Sequence, residues 1–131
     1  MIITKEQELF DFLKSNHIPD LEPSEHPNSR HDCYSQMYEI DIELKCRTSH
    51  YDDLLIEKKK YDALIQRSVL FSTRPYYINS TPSGVWSFNL LELPTPIWEE
   101  RRMPKTTFFG DSQNIMKSVG YINISQGMRL L

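Results

Sequence analysis

The sequence predicts an α/β (α+β) domain built as one mixed central sheet with helices packed on it. Three observations predict it. Residues 38–47, Tyr-Glu-Ile-Asp-Ile-Glu-Leu-Lys-Cys-Arg, alternate apolar and charged without a break. Residues 5–16 and 53–67 place apolar side chains at helical intervals. Residues 75–91 read as two extended segments about a turn. In chain order this gives helix, two strands, helix, two strands and a mixed tail. It is read as one domain over 1–131, with a core of about 5–92 and a tail of 93–131.

The first helix rests on Leu9, Phe10 and Leu13, with Thr4 and Gln7 at capping-box spacing. Residues 17–29 read as loop, because Pro19, Pro23 and Pro27 each interrupt a helix. Residues 31–35 extend toward a tight turn near Ser35-Gln36, and with 38–47 they form a hairpin. In the second helix Leu54, Leu55, Tyr61, Leu64 and Ile65 supply the apolar stripe, with Asp52 or Asp53 as cap. Residues 69–72 and 75–79 read as a strand region. Thr81-Pro82-Ser83-Gly84 is the turn into the hairpin partner, 85–91. Residues 94–104 read as irregular around Trp98. Residues 105–109 read as a short strand, a helix starts at Asp111 or Ser112 and runs to about Val119, and 121–124 form a short strand.

With 39% hydrophobic and 25% charged residues in 131, the chain has enough apolar material for one buried core. It has no run of 18 apolar residues, so no transmembrane helix is expected. The first residues lack the pattern of a signal peptide, and two cysteines fit a reducing cytoplasm better than a disulfide framework. A net charge of −3 argues against a uniformly basic nucleic-acid coat. It leaves room for a cation-binding acidic site, whose acids count as negative until a cation neutralises them.

The chemistry concentrates on residues 38–47. Ile40, Ile42, Leu44 and Cys46 share one face of the strand; Glu39, Asp41, Glu43, Lys45 and Arg47 share the other. Asp41, Glu43 and Lys45 follow one another roughly 6–7 Å apart per two-residue step. Carboxylates so spaced can share a hard divalent cation, and a lysine beside them can hold an anionic oxygen or position a water. That set suits metal-assisted cleavage of a phosphodiester. The same residues could instead form a cross-strand ion-pair network. Tyr76, Tyr77, Trp86 and Phe88 read as core or hairpin pairs, or alternatively as a base-stacking platform. His26, His31, Cys33 and Cys46 have zinc chemistry but lack zinc-site spacing.

Asp32, eleven residues before Glu43-Leu44-Lys45, completes a pattern that resembles the restriction-endonuclease-like, or PD-(D/E)xK, nuclease superfamily. Residues 55–65, then Tyr76-Tyr77-Ile78-Asn79 and Gly84-Val85-Trp86, look like its small phage and mobile-element members. The resemblance spans about residues 5–92. It implies a restriction-endonuclease-like core, a DNA substrate, Mg²⁺ or Mn²⁺, a homodimer, and the cytoplasm of a bacterial or phage-infected cell. By resemblance, Asp32 and Glu43 hold the metal with the carbonyl of Leu44, and Lys45 stabilises the attacking hydroxide or the transition state. Glu8 or Glu6 could complete the metal shell, and Lys58, Lys60, His50 and Arg47 are candidate nucleic-acid contacts. Two departures stand out. His31 replaces the proline before the first acid, and Asp41 offers a second candidate for the first metal ligand. An inactive nuclease-fold module that binds nucleic acid or assembles, and an interaction protein without nucleic-acid role, are the alternatives.

Overall fold

The computed structural model describes residues 2–24, 32–105 and 114–131. Its elements are α1 (Glu6–Asn16), β1 (Glu22–Pro23), β2 (Asp32–Ser35), β3 (Ile40–Cys46) and β4 (Asp53–Glu57), then α2 (Lys58–Phe71). β5 (Arg74–Thr81), β6 (Gly84–Asn89), β7 (Glu99–Pro104), β8 (Asn114–Asn123) and β9 (Met128–Arg129) follow. The expected single sheet is two. A mixed six-stranded sheet runs β1-β2-β3-β5-β6-β9, and a three-stranded antiparallel sheet runs β4-β8-β7.

β3 sits inside the larger sheet, antiparallel to β2 and parallel to β5. Parallel neighbours need a crossover rather than a hairpin. Residues 47–73 provide it: they leave the larger sheet, contribute β4 to the smaller one, and return as α2. This crossover puts α2 against the charged face of β3. The opposite face packs on α1, where Leu9, Phe12 and Leu13 meet Ile40, Ile42, Leu44, Cys33, Ile78 and Val85. A second cluster lies between the sheets: Leu54, Ile56, Leu64, Tyr77, Trp86, Phe88, Leu90 and Ile122. The alternation read from residues 38–47 is thus a strand buried on both faces, one apolar and one ionic.

Several expected elements are corrected. Residues 53–57 are strand, because Leu54 and Ile56 alternate with Asp53, Leu55 and Glu57 and pair with β8 from Asp53↔Asn123 to Glu57↔Val119. The helix therefore starts at Lys58 and continues to Phe71, so the strand expected at 69–72 is its last turn, closed by a left-handed Ser72. Residues 99–104 are β7, and the helix expected up to Val119 is β8 over its described part. The strand expected at 105–109 falls, beyond Lys105, outside the described residues. At the start of α1, Thr4 bonds Glu8 through both its amide and its hydroxyl, while Gln7 bonds Asp11. The spacing had suggested a Thr4–Gln7 box.

The tail is built into the fold. β8 supplies Ile122 to the second cluster, and β9 pairs with β6. A Cβ at Gly120 would lie 2.6 Å from Pro96 Cβ, so β8 needs glycine there for Trp98 to close over it. Trp98 in turn meets the edge of Tyr61 on α2, ring centroids 5.2 Å apart. Among the described residues no helix is long and apolar enough to cross a membrane.

Candidate functional site

The β2–β3 hairpin turns through residues 36–39, with Glu39 in the left-handed region at φ 54°, and its register sets Asp32 directly opposite Glu43. Residues so opposed have Cβ atoms about 4.5–5.5 Å apart and point to the same face. Tyr34 lies opposite Asp41, and across the parallel pair Glu43 lies beside Tyr77 and Lys45 beside Asn79. The strands therefore bring Asp32, Asp41, Glu43 and Lys45 together on the face that α2 covers. Lys60 and Arg67 are seven residues apart on α2, two helical turns, so they share the face turned to the acids.

The contacts follow from that register. Arg67 Nη1 lies 3.5 Å from Asp32 Oδ2, and Arg67 Nε lies 3.2 Å from Asp41 Oδ1. The hydroxyl of Thr73 donates to Asp41 Oδ2 at 2.5 Å. Lys60 Nζ is 3.8 Å from Glu43 Oε1. The side chains of Asp32 and Asp41 keep only 9% and 10% of their exposure, so both charges need these partners. Asp41 is held from two sides, whereas Glu43 has one long contact to a half-exposed lysine. This separates the two candidates for the first metal ligand: Asp32 faces Glu43 with one ionic partner among the described residues, and Asp41 anchors Arg67 and Thr73.

Lys45 differs from every other cation nearby. Among the described residues it has no ion-pair partner and no side-chain hydrogen bond. Burial pushes its pKa down, the neighbouring Arg47 pushes the same way, and Glu57 and Glu6 partly oppose them. Beside it on β5, Asn79 is fully buried; its Oδ1 accepts from Arg47, while its Nδ2 makes no well-formed hydrogen bond. Lys45 is thus a partly buried cation without an acid paired to it among the described residues, lying beside a buried amide.

The remaining candidates lie elsewhere. Glu8 sits at the start of α1, on the apolar side of the sheet. Its carboxylate accepts from Thr4, and those bonds lower its pKa. Arg47 ties the sheets together: it donates to Asn79 Oδ1 at 2.9 Å, to the Tyr77 hydroxyl at 2.9 Å, and to the carbonyl of Leu55. His50 uses both ring nitrogens, with Thr81 Oγ1 at 2.8 Å and Asp52 Oδ1 at 3.1 Å, and its ring rests on Trp86. Lys58 bonds Asp62 at 2.6 Å and lies over Trp98. Of the four expected nucleic-acid contacts, only Lys60 is placed at the acidic cluster. Tyr77, Trp86 and Phe88 are buried core residues, so they offer no stacking platform.

Sequence reasoning passed over Arg67, Thr73 and the pair Glu57–Lys117, whose charged atoms are 2.8 Å apart. The seven-residue spacing of Lys60 and Arg67 was a usable signal. Lys117 carried none, since its approach to Glu57 depends on the β4–β8 pairing. His26 and His31 of the zinc reading lie outside the described residues. Cys33 is buried and its thiol is pushed up to about 12, the opposite of what a metal-binding thiolate needs. Cys33 is therefore expected to resist iodoacetamide at pH 8 until the protein is denatured, as peptide mass mapping would show. Rapid native labelling would contradict this burial.

Among the described residues no three His, Cys, Asp or Glu side chains converge as a metal-binding group. Mg²⁺ does not require three; it is commonly held by one or two carboxylates and completes its shell with water. The opposed Asp32 and Glu43, with the Leu44 carbonyl between Glu43 and Lys45 in sequence, fit that demand. Zn²⁺, which favours nitrogen and sulfur, finds no such set among the described residues. Compared with known proteins, the chain matches no family model, no curated protein and no solved structure.

Proposed function

We propose that this protein is a divalent-cation-dependent nuclease of the restriction-endonuclease-like kind, hydrolysing phosphodiester bonds in DNA. One observation carries the reading: Asp32 and Glu43 stand opposite each other on adjacent strands, with a half-buried Lys45, unpaired among the described residues, next on the same face. A packed sheet gains nothing from burying an unpaired cation beside two acids, so the arrangement asks for a chemical use.

In this reading Asp32, Glu43 and the Leu44 carbonyl hold Mg²⁺ or Mn²⁺, which when bound polarises a phosphoryl oxygen and acidifies water. Lys45 places its ammonium against the oxygen that attacks phosphorus and against the charge that builds on the equatorial oxygens. Burial makes that charge interaction stronger than it would be in water. Water adds to phosphorus, one P–O ester bond breaks, and the products are a phosphomonoester and an alcohol. Lys60, half-exposed and only 3.8 Å from Glu43, would in this reading meet a phosphate. Such a contact supplies affinity without sequence choice.

A second reading has its own observation. Asp32, Asp41 and Glu43 each already have a cationic partner, as a purely structural ion network would. This favours an inactive nuclease-fold module that binds nucleic acid or assembles. Incubation of supercoiled plasmid and of a branched DNA with Mg²⁺ or Mn²⁺, against EDTA, separates the two. Metal-dependent nicking is the expected result. Salt-sensitive binding without nicking would replace the first reading by the second.

A further inference from the structure

We propose that Arg67 is an internal counter-ion that occupies the Asp32 carboxylate until a divalent cation takes it over, and that Asp41 then retains Arg67 at the site. The inference rests on the nuclease reading for the cation, and on its own geometry for the arginine. One guanidinium spans two buried acids through different nitrogens, Nη1 toward Asp32 and Nε toward Asp41. The two contacts are unequal. The Asp32 contact is the longer at 3.5 Å, and the Asp41 side is reinforced by Thr73. Arg67 Nε is buried and, although 3.2 Å from Asp41 Oδ1, lacks hydrogen-bond alignment. The side chain is thus held by charge more than by directional bonds.

Without a cation, Asp32 opposite Glu43 would be two facing carboxylates on a covered surface, and like charges so placed destabilise a sheet. Arg67 removes that penalty from Asp32, and Lys60 does so from Glu43. A divalent cation at the same acids supplies more charge than one guanidinium end and makes Nη1 redundant there. Held by Asp41, that nitrogen is then free to donate to a phosphate oxygen. The acid that the superfamily motif does not require, Asp41, thereby acquires a role. It positions Arg67 rather than ligating metal.

The test compares wild type with Arg67→Gln and Arg67→Lys by calorimetric Mn²⁺ binding and by thermal denaturation with and without Ca²⁺. Asp32→Asn serves as the control for the metal site. Loss of the competitor is expected to tighten Mn²⁺ binding by Arg67→Gln at least several-fold. Its melting temperature should be lower than wild type without cation and should rise more when Ca²⁺ is added. Arg67→Lys, which keeps the charge, should fall between and covers the case in which Arg67→Gln fails to fold. If wild type binds Mn²⁺ through Asp32 and the Arg67 variants bind equally or more weakly, the counter-ion inference fails while the metal site stands. If wild type binds no Mn²⁺, both fall together.

Discussion

Lys45→Ala is expected to reduce Mg²⁺-dependent cleavage of plasmid DNA by roughly 10²–10³-fold, the loss typical of removing one preorganised charge from a transition state. The argument is local. Among the described residues Lys45 has no ion-pair or hydrogen-bond partner to lose, it lies beside Asn79 in the sheet, and the other cations near the acids are committed to Glu43, Asp32 and Asp41. Under the proposed nuclease reading Glu43→Ala should cost a comparable factor, and the double variant little more, since residues acting as a unit are not additive. Nicking assays on proteins checked for native circular dichroism would measure this. Undiminished cutting by either variant would place the active centre elsewhere.

The same lysine gives a stability result of opposite sign. Its folded pKa is depressed by burial, so the folded state holds the proton less tightly than the unfolded chain. The charged lysine therefore weakens the fold in full below the depressed pKa, and the penalty fades as pH rises through it toward the ordinary lysine value. Lys45→Met should melt higher than wild type at neutral pH while losing cleavage. A residue that costs stability and earns activity is what a catalytic role predicts.

Arg47→Ala is expected to destabilise the protein by about 3 kcal/mol, because the acceptors of a charged, part-buried donor would be left short of partners. The guanidinium reaches from the end of β3 to Asn79 and Tyr77 on β5 and to the Leu55 carbonyl on β4, so it joins the two sheets. Tyr77 alone would keep a bond to Leu55, at 3.0 Å. Arg47→Lys should recover little, since an ammonium cannot reproduce the planar fork. Urea denaturation would report the change as a lower midpoint. An unchanged midpoint with weakened DNA binding would return Arg47 to the role of a nucleic-acid contact.

How much of this was legible depended on whether the signal was local. The alternation of residues 38–47 located β3, and a short hairpin made Asp32↔Glu43 the natural register. Leu9 and Leu13 of α1 and the Thr81–Gly84 turn were similarly readable from neighbours in sequence, but the third residue α1 buries is Phe12, where Phe10, only partly buried, was expected. Residues 53–57 misled because Asp-Leu-Leu-Ile-Glu, with three apolar residues running together, fits a helix joined to Lys58–Phe71 as well as a strand. Only β8, more than sixty residues on, decides between them. With residues 114–119 of β8 misread as a helix and only 121–124 read as strand, the second sheet could not be anticipated, nor could Lys117 beside Glu57. The acids of the site were visible because they lie on one hairpin. Their cations were harder to see because they arrive from α2, across the crossover.

That separation has a kinetic consequence. Asp32 and Glu43 meet by closing a loop of about ten residues, an event on the scale of microseconds for a hairpin. Arg67 and Lys60 reach the same acids only after β3 and β5 pair in parallel across a much longer excursion, at greater entropic cost. During folding the two acids are therefore expected to face each other before either has its counter-charge. The pairing of this hairpin is accordingly expected to be resisted by the like charges of its two opposed acids. Divalent ions in the refolding buffer should act on the rate of folding as well as on the stability of what results.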